Sequence, residues 1–115
     1  MQLQDKVKAI YYALDEKKAN DIVIMDIQRV SMISDFFVIA SGENQNQMQA
    51  MADNVQEEME KNGVHFRHIE GYPKNDWILM DYNDVIVHIF SKESRIFYDL
   101  DRIWRDSLIL TVDEL

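Results

Sequence analysis

The sequence predicts an α/β fold, equally describable as α+β: a mixed sheet of about five strands with helices packed on it, in the order α-β-β-α-β-β-β-α. Three observations lead there. Two long segments carry apolar residues at helical spacing, short β-branched runs lie between and after them, and two alternating runs close around Asn83-Asp84.

Residues 3–18 read as an amphipathic helix, because Leu3, Val7, Ile10, Tyr11 and Leu14 recur on one side and Lys and Asp fill the others. The run 21–27, Asp-Ile-Val-Ile-Met-Asp-Ile, is too short for a helix and nearly continuous in apolarity, which suits an interior strand. A polar bridge over 28–35 leads to a second strand, 36–40, stopped by Ser41-Gly42. Asn44 can cap a helix from about Gln45 to Asn62, with Met48, Met51, Ala52, Val55 and Met59 as its buried stripe and Gly63 at the left-handed position beyond its end. A third strand is expected over 64–70, then a loop through Gly71, Tyr72, Pro73, Lys74 and Asn75. The strands Trp77–Tyr82 and Val85–Phe90 form a hairpin, since Asn-Asp tolerates the positive φ of a two-residue turn. Ser91 or Ser94 caps a last helix carrying Ile96, Phe97, Leu100, Ile103 and Trp104, and the chain from Leu108 on is unassigned. The strands flanking the long helix are expected to form a parallel crossover.

A chain of 115 residues fits one domain, with a core over about 3–106 and a tail over 107–115. Cysteine is absent, which excludes disulfides, thiolate metal sites and a Cys nucleophile. No stretch approaches the ~20 apolar residues of a membrane span, and the N-terminus lacks the basic lead-in and apolar run of an export signal, so a cytoplasmic location is expected. Twelve Lys and Arg against twenty-one Asp and Glu give a net charge of −9. Extensive nucleic-acid binding is therefore not expected, because cations supply that affinity. Such charge suits a basic protein partner as well as plain solubility.

The hairpin has two unlike faces. If Tyr82 pairs with Val85, alternation places Ile78, Met80, Tyr82, Val85, Val87 and Ile89 on the core side. Trp77, Leu79, Asp81, Ile86, His88 and Phe90 fall on the other side, where large apolar groups mix with an acid and an imidazole. That is the composition of an interface core. A helix covering this face, such as the last one, explains the pattern equally well, and self-association through it is a third reading.

No catalytic or metal-binding constellation emerges. His65 and His68 fall on opposite faces of the expected strand, and His88 is remote from both. The Ser41-Gly42 turn invites comparison with phosphate-binding turns, yet Glu43-Asn44-Gln45-Asn46-Gln47 follows it, with no Lys or Arg before Lys61. Asp81 and Asp84 straddle the hairpin turn, while Asp99 and Asp101 diverge on the last helix. A helix-entry turn, no cofactor and no enzymatic activity are expected.

Three stretches carry a family resemblance. Asp35-Phe36-Phe37-Val38-Ile39-Ala40-Ser41-Gly42 with the helix after it resembles a D-Y-F-V-I-A-S-G motif. Glu70-Gly71 and the run from Trp77 to Phe90 resemble an E-G…W-x-L-x-D-Y-G-D-V-V-V-H-x-F block, and 95–104 resembles R-x-F-Y-x-L-E-x-L-W. In this order and spacing they resemble the ribosomal silencing factors, the RsfS or Iojap-like family, with Asn83 in place of the turn Gly and Phe36 in place of Tyr.

The resemblance implies a sheet-and-helix fold reminiscent of nucleotidyltransferases but without their catalytic carboxylates. It also implies a non-enzymatic factor that binds ribosomal protein fourteen of the large subunit, blocks joining of the small subunit and lowers translation when nutrients are short. Organelle relatives act in large-subunit assembly, and a homodimer of the free protein fits the family. On that reading Trp77, Leu79 and Phe90 anchor the partner, Asp81 and His88 give directional hydrogen bonds, and Tyr98 extends the patch. Trp77→Ala and Asp81→Arg are expected to abolish binding with the fold intact. A nucleotidyltransferase-like enzyme and a purely homodimeric module are the competing readings.

Overall fold

The computed structural model describes residues 1–29, 31–72, 76–98 and 108–115, with side chains described through residue 95 and again from 108. Helix α1 spans Leu3–Glu16, strand β1 Asn20–Asp26, β2 Phe36–Gly42 and α2 Gln45–Lys61. Then come β3 (His68–Glu70), β4 (Trp77–Asp81), β5 (Val85–Ser91), α3 (described over Lys92–Tyr98), β6 (Leu108–Leu110) and a 3-10 turn over Val112–Glu114. The strands form one mixed sheet in the order β3-β4-β5-β2-β1-β6.

Local chemistry explains most boundaries. Asn44 stands in extended conformation and its side chain accepts from the Gln47 amide at 2.8 Å, satisfying one of the donors that α2 leaves open at its start. Beyond α2, Gly63 takes φ +74°, and the Gly63 and Val64 amides return to the Glu60 and Met59 carbonyls. Asn83 adopts φ 77° in the hairpin turn, and the Asp81 carboxylate accepts its amide at 2.7 Å. That turn is tied to the sheet's neighbours. The Asp84 carbonyl accepts from the Asp35 and Phe36 amides, and the Lys6 ammonium lies 3.1 Å from the Asp84 carboxylate.

Helices α1 and α2 cover one face of the sheet. Val7, Ile10 and Leu14 from α1 meet Met48, Met51, Val55 and Met59 from α2 over Ile24, Val38, Ile78, Met80, Val85, Val87 and Ile89. The core side expected for the hairpin is the observed one, Tyr82 included. Each such fully buried side chain contributes roughly 1.5–3 kcal/mol. The Asn54 amide, buried between the helices, donates to the Ala13 carbonyl at 2.8 Å and so satisfies the end of α1. Gly42 lets α2 approach the end of β2 closely, since a Cβ there would sit 2.9 Å from Met48 Cγ and force a shift.

Three expectations are corrected. The third strand shortens to His68–Glu70, since its partner β4 ends at Asp81, opposite His68. Val64 and Phe66 instead turn onto the core, where Phe66 meets Tyr82 edge-on at 6.4 Å. The parallel neighbour of β2 is β5 and not β3, so the crossover contains α2, β3 and β4. This ordering follows burial: β5 is apolar along almost its whole length and is paired on both sides, whereas His-Ile-Glu alternates and belongs at an edge. The third correction is the sixth strand, Leu108–Leu110, which pairs antiparallel with Ile24–Asp26 and makes β1 interior. Of the last helix, the start is capped by Ser91, whose hydroxyl accepts the Ser94 amide at 3.2 Å. Ile96, Phe97, Leu100, Ile103 and Trp104 lie outside the described side chains.

Candidate functional site

The second face of the sheet carries its own apolar cluster. Met25, Ile27, Phe37, Ile39, Ile86 and Phe90 are buried there, with Val23, Trp77 and Leu79 packed against them and only half-buried. Trp77 stands opposite Phe90, and Leu79 opposite His88, in the β4–β5 register. Five residues singled out from the sequence, Trp77, Leu79, Asp81, His88 and Phe90, are thus brought onto one side of one hairpin. The sixth, Tyr98, lies outside the described side chains.

Their exposures divide them into two groups. Phe90 is 0 % exposed and His88 3 %. These two form a foundation beneath the surface, while Trp77 and Leu79 on β4 remain accessible to a partner. The centre of the face is therefore closed and its β4 flank partly open. The aromatic packing is tight: the Trp77 indole stacks on Phe90 with ring centroids 5.0 Å apart, and Phe37 meets the His88 ring edge-on at 4.5 Å. The indole Nε1–H donates to His88 Nδ1 at 3.2 Å. Burial pushes the imidazole pKa down to about 4, so His88 is neutral at physiological pH. The Tyr82 hydroxyl is raised for the same reason on the opposite side of the sheet.

Asp81 is committed within the chain. One carboxylate oxygen holds the Asn83 amide and the other accepts the Arg67 guanidinium at 3.0 Å. Arg67 is exposed, so this ion pair lies at the border of the flank. The consequence is a correction: Asp81→Arg removes the acceptor that holds the turn and places a second cation beside Arg67, so it cannot be expected to leave the fold untouched.

Sequence reasoning missed Ile109. It pairs with Met25 and so projects on the second face, and it is 54 % exposed. Only the pairing of β6 assigns it there. Met32 and Ile33, in the β1–β2 connection, are likewise exposed. Among the described residues, the acids Asp53, Glu57 and Glu60 are exposed on α2, on the other side of the sheet. Among the described residues, the second face holds little charge beyond the Asp81–Arg67 pair.

The strand-end turn considered for phosphate chemistry is closed by its own side chains. The Gln47 side chain accepts the Glu43 amide at 2.6 Å, Asn44 takes the Gln47 amide, and Glu43 pairs with Lys92 at 2.9 Å. The buried Ser41 hydroxyl points to the Asn20 carbonyl at 3.4 Å. His65 and His68 are exposed, with His68 against Glu70 at 2.9 Å, and no group of three metal-ligating side chains occurs among the described residues. Asp99 and Asp101 lie outside the described residues.

Fold and face together define a class: a small mixed-sheet α/β protein with α1 and α2 on one face and a partly open aromatic flank on the other. Residues 1–115 match the family described as "Ribosomal silencing factor during starvation", and the chain belongs to that family. It is 33% identical over 113 residues to the ribosomal silencing factor RsfS of Bacillus subtilis, covering 98% of this chain and 96% of that one. To the RsfS of Halalkalibacterium halodurans it is 35% identical over 107 residues, covering 93% and 92%. A crystal structure of a Chromobacterium violaceum protein superposes with a TM-score of 0.88 at 30% identity, covering 90% of this chain and 87% of the other. The similarity extends to the chloroplastic protein Iojap of Zea mays, 32% identical over 80% of this chain and 40% of that protein. It also reaches a mouse protein named for mitochondrial assembly of the ribosomal large subunit, 26% identical over 79% of this chain and 41% of that protein.

Proposed function

We propose that the chain binds the large ribosomal subunit through ribosomal protein fourteen, using the β4 flank of the second sheet face. The bound domain then obstructs joining of the small subunit and lowers translation under nutrient limitation. The protein acts in the cytoplasm, as a binding factor without catalytic chemistry, and a contribution to large-subunit assembly fits the mouse relative's name.

One observation carries the reading: the half-buried Trp77 and Leu79 stand on a strand paired on both sides and backed by buried Phe90, His88 and Phe37. A large apolar anchor on a rigid support loses little freedom on docking, which is what makes aromatic residues dominate interface energetics. The net charge of −9 adds long-range attraction to a basic protein and repulsion from surrounding RNA, orienting the approach.

The test is co-sedimentation with purified large subunits, followed by a subunit-joining assay. The unsubstituted protein is expected to pellet with large subunits and to slow joining, and Trp77→Ala to lose both at unchanged far-ultraviolet circular dichroism. Pelleting of Trp77→Ala like the parent would sink this site. Saturable heat with ATP or CTP plus Mg²⁺ would favour the nucleotidyltransferase-like alternative. Exposed Leu108 and Ile109 at the sheet edge support self-association of the free protein. Light scattering with and without large subunits tests that: a dimer that persists and ignores subunits would replace the ribosomal reading.

A further inference from the structure

We infer that His88 is a positioning residue for this docking flank: it fixes the Trp77 indole in one orientation by accepting its N–H, and it does so as a single tautomer. The inference rests on the proposed docking role of Trp77.

The geometry assigns the proton. Nδ1 lies 3.2 Å from the indole Nε1, which can only donate, so Nδ1 must be the unprotonated, accepting nitrogen. A neutral imidazole then carries its proton on Nε2. That atom is buried and without a partner among the described residues. The reverse tautomer would set two N–H groups against each other where a hydrogen bond now stands, and would still leave Nε2 without a partner. Neutrality is imposed by the same surroundings, since Phe37, Trp77 and Phe90 line the ring and none can stabilise a cation as water does.

Among the described residues, two unlike restraints act on the indole. Phe90 stacks beneath it, which fixes its plane, and His88 takes its N–H, which fixes which edge faces inward. Stacking alone leaves the plane free to turn over. The hydrogen bond removes that alternative, so a partner meets one preformed surface and loses no side-chain freedom in ordering it. Histidine suits this place better than a purely apolar residue because it fills the aromatic cluster and still offers an acceptor.

Two measurements on the intact chain decide the matter. A long-range ¹H–¹⁵N imidazole spectrum should show His88 with its proton on Nε2, and the Trp77 indole N–H, assigned with Trp77→Phe, should exchange slowly with solvent. His88→Leu should lose that protection and bind large subunits roughly two- to tenfold more weakly. His88→Asn, whose side-chain oxygen lies near the place of Nδ1, should recover most of both. A proton on Nδ1, an indole signal unmoved by His88→Leu, or equal losses in the Leu and Asn variants would overturn the positioning role. If Trp77→Ala loses binding while His88→Leu binds normally, the docking reading stands and the positioning role falls. Normal pelleting of Trp77→Ala overturns both. If His88→Leu fails to fold, the tautomer and indole exchange of the unsubstituted protein still decide between the assignments.

Discussion

Mild acid should destabilise this protein through one buried histidine. In the folded state burial holds the His88 pKa at about 4, whereas the unfolded chain offers an ordinary imidazole near 6.5. Between those values the unfolded state binds the extra proton, so stability is fully present above about pH 6.5 and is lost as pH falls toward 4. The gap corresponds to roughly 3 kcal/mol at the acid limit and about 2 kcal/mol at pH 5. Against a total of about 5–15 kcal/mol for a domain of this kind, that loss is large enough to measure. Urea denaturation at pH 7.5 and pH 5.0 provides the assay, with a drop in midpoint of roughly 1–2 M for the unsubstituted chain. His88→Asn carries no titrating ring at this position, so its difference between the two pH values should be smaller by about 2 kcal/mol, whatever its absolute stability. Exposed His65 and His68 are present in both proteins and cancel. An equal loss in both proteins would refute the assignment of a buried neutral imidazole.

Other substitutions probe the turn and the helix–sheet contact. Asp81→Asn keeps an oxygen for the Asn83 amide and loses only the ion pair between buried Asp81 and exposed Arg67, so it should cost roughly 1 kcal/mol. Asp81→Arg should cost roughly 1–3 kcal/mol in the same denaturation assay, because the turn amide loses its acceptor. Equal stability of the two variants would show that the carboxylate does not hold the turn. At the other end of the sheet, Gly42→Ala brings a methyl group 2.9 Å from Met48 Cγ and should cost roughly 1–3 kcal/mol. Combining it with Met48→Ala should cost less than the sum of the two, and strict additivity in that cycle would rule out the contact.

Much of the architecture is legible in local chemistry. The stripe Met48, Met51, Val55 and Met59, the Asn44 cap and Gly63 mark α2 to within a residue. Alternation around Asn83-Asp84 separates the two hairpin faces correctly, because a two-residue turn leaves only one register. The mixed sheet and the family follow from patterns of this short-range kind.

Long-range pairing is another matter. Nothing in Leu108-Ile109-Leu110 distinguishes a tail from a strand until the free edge of β1 stands beside it, and only then does Ile109 join the second face. The parallel partner of β2 is likewise chosen by burial across the whole sheet, which favours apolar β5 over the polar β3. The flank shows the same limit. By itself the sequence determines that Trp77, Leu79, Asp81, His88 and Phe90 share a side, since side chains alternate along a strand whatever lies around it. Only the tertiary structure decides that Phe90 and His88 are foundation, Asp81 a turn clamp, and Trp77 and Leu79 the accessible edge. Burial and hydrogen-bond partners depend on which other elements pack alongside.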